Sequence, residues 1–179
     1  MKTTMKLSEI KRGNTFSIAG MEFIKFDDKN GQTIAVNKDI LFSSVFGKDN
    51  NFAKSEILKK LENDILPKIS AEIGEENICE IETDLISLDG SKKHGKMKSK
   101  VSLPTFDFYR GNVEIFDKHK LDCWWWLATP DTTTEHYNDN WTVCVSPLGF
   151  IYLNRYFNIN IGVRPFWIFV SSISVSCEE

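Results

Sequence analysis

The sequence predicts a single α+β domain: antiparallel strands, one long helix, one short helix and a loop-rich C-terminal half. Three observations carry that expectation. Short β-forming runs near the N-terminus are separated by tight-turn pairs. One stretch, Ala53 to Ser70, repeats apolar residues at helical spacing. Two aromatic anchors, Cys123 to Pro130 and Gly162 to Val170, bracket a segment rich in Thr, Asn, Asp and Tyr.

The chain has 179 residues, enough for one domain with a real core. Nothing in it is rich enough in Pro or Ser to mark an interdomain linker, and no internal repeat is present.

Taken in order, Leu7 to Arg12 is a lead-in that ends on the turn pair Gly13-Asn14. Thr15 to Ile18 and Met21 to Phe26 read as two strands of a hairpin closed by Ala19-Gly20. Asp27 to Gly31 is a second turn with an Asn-Gly pair, and Gln32 to Asn37 continues the meander. Lys38 to Phe46 leads into a loop packed on the core, and Gly47 to Asn51 breaks it. Asn50 or Asn51 then suits the N-cap of the long helix. Within that helix Ile57, Leu58, Leu61, Ile65 and Ile69 form one stripe, and Pro67 ends or kinks it. A core-facing helix is the plain reading of that stripe; a partner-binding one is the alternative.

Ala71 to Ile81 is acidic, with a strand near Ile78 to Ile81, and a polar, Lys-rich passage follows to Lys100. Thr105 suits the N-cap of a short helix over Phe106 to Arg110, closed by Gly111-Asn112. Val113 to Lys120 reads as a connection. Trp124, Trp125 and Trp126 sit on a strand, so Trp125 faces away from the other two. Trp141 to Val145 and Phe150 to Asn154 read as paired strands about the turn Ser146 to Gly149, and Arg155 to Ile161 as a loop or irregular strand. The last strand is Phe166 to Val170. Arg164 stands alone inside an apolar anchor, so its five donors call for carbonyls or a carboxylate if it is buried, or for an anionic ligand if it is not. With Trp124, Trp125, Trp126, Gly162 and Pro165 it is assigned to the structural frame.

The function classes narrow by exclusion. A net charge of −3 argues against broad nucleic-acid binding. The local exception is the run with Lys92, Lys93, Lys96, Lys98 and Lys100, read as a solvated loop or as a phosphate or acidic-protein contact. No signal-peptide pattern or apolar run of membrane-spanning length is seen, so a cytoplasmic protein with reduced thiols and no membrane partner is expected. The four cysteines, 79, 123, 144 and 177, form no Cys-x-x-Cys pair. No catalytic triad, phosphate loop or His-Glu-x-x-His helix occurs, so no enzyme, no cofactor and no metal is expected. Asp131, Glu135, Asp139 and Asn140 supply oxygen atoms at a spacing too irregular for a calcium loop.

The pairing of Trp124-Trp125-Trp126-Leu127-Ala128-Thr129-Pro130 with Gly162-Val163-Arg164-Pro165-Phe166 resembles a "WWLRSP … GVRP" signature. Proteins of gut Firmicutes and of their phages and prophages carry it, a family with no assigned activity. Lys38 to Phe42, Asn50 to Phe52 and Val101 to Asp107 resemble it too, and Ala128 departs from it where the pattern has Arg. The family is similar to the C-type-lectin-like fold, which includes formylglycine-generating enzymes and the variable proteins of diversity-generating retroelements. That resemblance implies a lectin-like domain over residues 1–179 and a recognition segment over about Thr132 to Ile161.

The function expected is therefore a non-catalytic, phage- or prophage-type module that binds a protein partner through its C-terminal surface. Tyr137, Asn138, Asn140 and Trp141 are candidates on one side of that surface. Tyr152, Asn154, Arg155, Tyr156 and Asn158 are candidates on the other. Tyr brings rigid amphipathic area and Asn hydrogen bonds of both senses. Two alternatives follow from the resemblance: an inhibitor of host defence, such as an anti-CRISPR protein acting on a Cas nuclease, and a formylglycine-type oxidase using Cys123 and Cys144. Both thiols lie in aromatic or β-branched runs, which speaks for small buried hydrophobes instead.

Overall fold

Two paired turns set the first sheet. The computed structural model describes residues 2–133 and 141–178. Ala19-Gly20 (φ 52° and 72°) and Asn30-Gly31 (φ 53° and 75°) have positive φ at both central positions, the backbone of a type I′ turn. They join β2 (Thr15–Ile18) to β3 (Met21–Lys29) and β3 to β4 (Gln32–Asn37). Two C-terminal strands, β12 (Phe166–Val170) and β13 (Ser174–Glu178), and the N-terminal β1 (Lys2–Lys6) complete an antiparallel sheet in the order β1-β13-β2-β3-β4-β12.

A second sheet of five strands has the order β10-β9-β8-β11-β5. It comprises β5 (Phe42–Ser43), β8 (Trp125–Pro130), β9 (Trp141–Val145), β10 (Ile151–Arg155) and β11 (Gly162–Val163). β11 lies parallel to β8, and Gly162 N–H donates to the Trp124 carbonyl at 2.7 Å. A Cβ on Gly162 would lie 2.8 Å from the Ile40 side chain, so the close approach itself demands glycine. The third sheet pairs β6 (Ile81–Asp84) with β7 (Lys96–Ser99).

The long helix runs from α1 (Glu56–Lys60) through a π turn (Leu61–Ile65) into α2 (Leu66–Ile73). Ser55 caps it, its hydroxyl accepting from Leu58 N–H at 3.0 Å. Asn51 caps the 3₁₀ turn just before. Pro67 does not end the helix. The wider π turn lies directly ahead of it and relieves the clash a proline makes with the preceding turn. Ile57, Leu58, Leu61, Ile65 and Ile69 are all buried, so the stripe faces the core.

The interior has two apolar clusters on opposite faces of β8. One gathers Phe16, Phe23, Trp167 and Phe169 with the long helix and Trp126. The other gathers Ile24, Phe26 and Val36 with Tyr109, Phe116 and Trp125. The strand period puts Trp126 in one and Trp125 in the other, with Trp124 half-buried beside Trp126's cluster. Tyr109 comes from α3 (Phe106–Arg110), capped by Thr105, and Phe116 from α4 (Val113–Lys118). Residues 113–120 had been expected to form only a connection.

The expected α+β lectin-like fold is overturned. Among the described residues strands take 37% and helices 23%, with one helix of 18 residues and three sheets, a β-rich fold. Among the described residues from Trp125 onward there are six strands, where a loop-rich half had been expected. β1, β7 and β13 account for much of the difference. Their sequences, Lys-Thr-Thr-Met-Lys, Lys-Met-Lys-Ser and Ser-Val-Ser-Cys-Glu, hold too few apolar residues to announce a strand, and their partners supply the reason to extend.

Candidate binding surface

Arg164 is buried and anchors the frame. Its Nε donates to the Asn37 carbonyl at 2.8 Å and an Nη to the His119 carbonyl at 3.3 Å. Its guanidinium also lies 5.2 Å from the Trp125 ring centre and 5.3 Å from that of Phe116. Burial pulls its pKa down to about 10, so it stays charged at neutral pH. These contacts tie β4, α4 and β8 to the link between β11 and β12.

A second tie closes the base of the β8–β9 connection. Asn50 is wholly buried, and its amide donates to the carbonyls of Thr132 (2.8 Å) and Trp141 (3.1 Å). His94 Nε2 meets Asn50 Oδ1 at 2.9 Å. Thr132 Oγ1 donates to Asp89 and Thr133 Oγ1 to Ser91. One side chain thus bonds both Thr132, after β8, and Trp141, the first residue of β9. Tyr137, Asn138 and Asn140 belong to that segment and lie outside the described residues, as do Glu135 and Asp139.

Among the described residues β10 lies at the edge of its sheet and pairs only with β9. Tyr152 stands opposite Cys144 and is half exposed (49%), with its ring edge-on to Trp124 at 5.0 Å. Arg155 stands opposite Trp141, its guanidinium 5.5 Å from that ring centre and 5.7 Å from that of Phe157. Asn154 and Asn158 are half-buried and bond each other at 3.1 Å, shaping the turn after β10. Tyr156 is half-buried against the helix-side core, a worse candidate than its type suggested.

The surface holds more than the predicted residues. Among the described residues eight large apolar side chains are exposed, and six of them fall within 148–159: Leu148, Phe150, Tyr152, Leu153, Phe157 and Ile159. That clustering separates this region from the scattered apolar exposure of any protein surface. The sequence candidates on this surface were Tyr, Asn, Trp141 and Arg155, and the aliphatic and Phe residues were not among them. The signal was present: from Ser146 to Ile161 only Arg155 is charged.

The other candidates resolve differently. Lys96 pairs with Glu82, Lys98 with Glu80 and Lys100 with Glu75, so much of the lysine run is matched by carboxylates of its own domain. All four cysteines carry free thiols. Burial raises the pKa of Cys123 and pushes that of Cys144 up to about 12, which makes both poor nucleophiles. Among the described residues no three His, Cys, Asp or Glu come together to hold a metal, and no helix is long and apolar enough to cross a membrane. No family model, curated protein or solved structure matches the chain.

Proposed function

We propose that this chain is a non-catalytic protein-binding module whose contact surface is β10, the turn before it and the segment after it. The concentration of exposed large apolar side chains between Leu148 and Ile159 carries the reading. The frame behind it supports the reading: Arg164 and Asn50 tie β4, Thr132 and the start of β9, the strand on which β10 is paired. The likeness of the Trp124–Pro130 and Gly162–Phe166 motifs to the prophage family favours a partner in a bacterial cell or a virion.

The test is capture of a partner by the immobilised protein, identification of that partner, and reconstitution with the purified pair. Tyr152→Ser combined with Phe157→Ser abolishes the reconstituted complex and leaves the urea midpoint unchanged. Retention of the complex by this double variant removes the surface from consideration.

A further inference from the structure

Sheet edges are templates for aggregation, and proteins guard them with charge, brevity, bulges or covering chain. The two large sheets use three of these devices. β1 reads Lys-Thr-Thr-Met-Lys, β5 is two residues long, and β12 is bridged along its free side at Phe166 by Ser102 and at Phe169 by Ile78. β10 has the least of this protection among the described residues: one charge, at its last position, and no bulge or covering chain. It runs five residues in unbroken register with β9, contains no proline, and carries no charge before its last residue, Arg155.

The backbone of that edge is defined. Ser146 N–H donates to the Phe150 carbonyl at 2.9 Å. Antiparallel alternation then turns Tyr152 and Asn154 toward β9, and points the N–H and C=O of Ile151, Leu153 and Arg155 outward. At Arg155 both groups are already used: its N–H donates to Asn154 Oδ1 and its carbonyl accepts from Asn158 N–H, each at 2.9 Å. At Ile151 and Leu153 the outward groups have no partner among the described residues. The open template is therefore two residues wide at the backbone, flanked by exposed Phe150 on one side and Phe157 on the other.

Arg155 adds the charge. Its guanidinium has no carboxylate within ion-pair distance among the described residues, and it lies between the rings of Trp141 and Phe157. A planar fork of donors held over aromatic rings in an otherwise uncharged stretch suits one carboxylate and repels a basic segment.

We infer that β10 receives an extended strand of the partner protein, hydrogen-bonded to Ile151 and Leu153, with an Asp or Glu of that strand on Arg155. This rests on the protein-binding reading above and names the form and charge of the partner segment. Main-chain bonds supply the anchoring, and apolar side chains of the added strand cover Leu153 and Phe157.

The experiment pans the purified protein against a displayed library of short random peptides. Enriched peptides share an acidic residue at one fixed position within an alternating apolar pattern. Arg155→Glu converts that preference to Lys or Arg. Leu153→Pro removes an outward N–H while sparing the ladder to β9, and weakens the best synthetic peptide by roughly tenfold or more. Circular dichroism verifies that both variants fold. If Leu153→Pro does not fold, the Arg155→Glu inversion decides alone, since it leaves the backbone untouched. No enrichment, or enrichment indifferent to both substitutions, overturns the inference. So does a concentration-dependent dimer of the unaltered chain in sedimentation that Leu153→Pro dissolves, because the edge then belongs to a second copy. If Tyr152→Ser with Phe157→Ser loses the reconstituted partner while Leu153→Pro and Arg155→Glu keep it, the surface stands and strand addition falls.

Discussion

β8 and β10 lie in one sheet with only β9 between them, and both read as apolar strands, yet the molecule treats them oppositely. β8 is buried along its whole length. Phe46 meets Trp126 edge-on at 5.5 Å on one face, and Phe116 and Arg164 cover Trp125 on the other. β10 leaves Tyr152 and Leu153 partly exposed, at 49% and 39%. Apolar content therefore says that a residue run forms a strand, and coverage by neighbours says whether that strand is frame or contact surface. Conspicuous residues, Trp125 and Trp126, are frame.

The sharpest way to break this contrast is to truncate each strand alike. Trp126→Ala empties a fully buried site and loses about 3–5 kcal/mol in urea unfolding. Loss of under about 1 kcal/mol would mean the site collapses easily and β8 is not a rigid element. Arg164→Met comes next. It keeps volume but leaves the carbonyls of Asn37 and His119 short of a donor, for about 1–3 kcal/mol. Asn50→Ala removes the donor shared by Thr132 and Trp141, and loses a similar or smaller amount. Its distinguishing readout is faster protease cleavage between those two residues.

A smaller effect is read in acid. Burial raises the Asp28 pKa, but hydrogen bonds from Lys25 and Thr33 outweigh it, and the net value lies below the ordinary 3.8. A depressed carboxylate stabilises the fold fully above its unfolded value and loses that contribution as pH falls through its folded value. Stability should therefore hold at neutral pH and decline below about pH 4, and Asp28→Asn should make that decline shallower. An unchanged slope would detach Asp28 from the buried Lys25. The smallest effect belongs to β10's turn: Phe150→Ala shifts stability by less than about 0.5 kcal/mol. A larger loss would show that Phe150 is covered after all.

Parts of this molecule were legible in the chain. Ala19-Gly20 and Asn30-Gly31 announced their hairpins because only a few residue types accept positive φ. The helix stripe and the opposed directions of Trp125 and Trp126 followed from period alone. Thr105 declared its cap. The clamp by Asn50 was not legible, since its acceptors lie 82 and 91 positions away and Asn has no signature for such a bond. Nor was α4, whose Ile115 and Phe116 join a cluster assembled from β3, β4, α3, β8 and β9.

By itself, then, the sequence determined turns, periods and caps, which depend on the backbone preferences of adjacent residues. It also determined that the stretch from Ser146 to Ile161 would be nearly uncharged. Tertiary structure alone decided that β1, β7 and β13 are strands, that β8 is covered twice, and that β10 ends its sheet uncovered. The reason is that burial is set by what arrives from distant parts of the chain, and an apolar residue looks the same in sequence whether or not anything arrives.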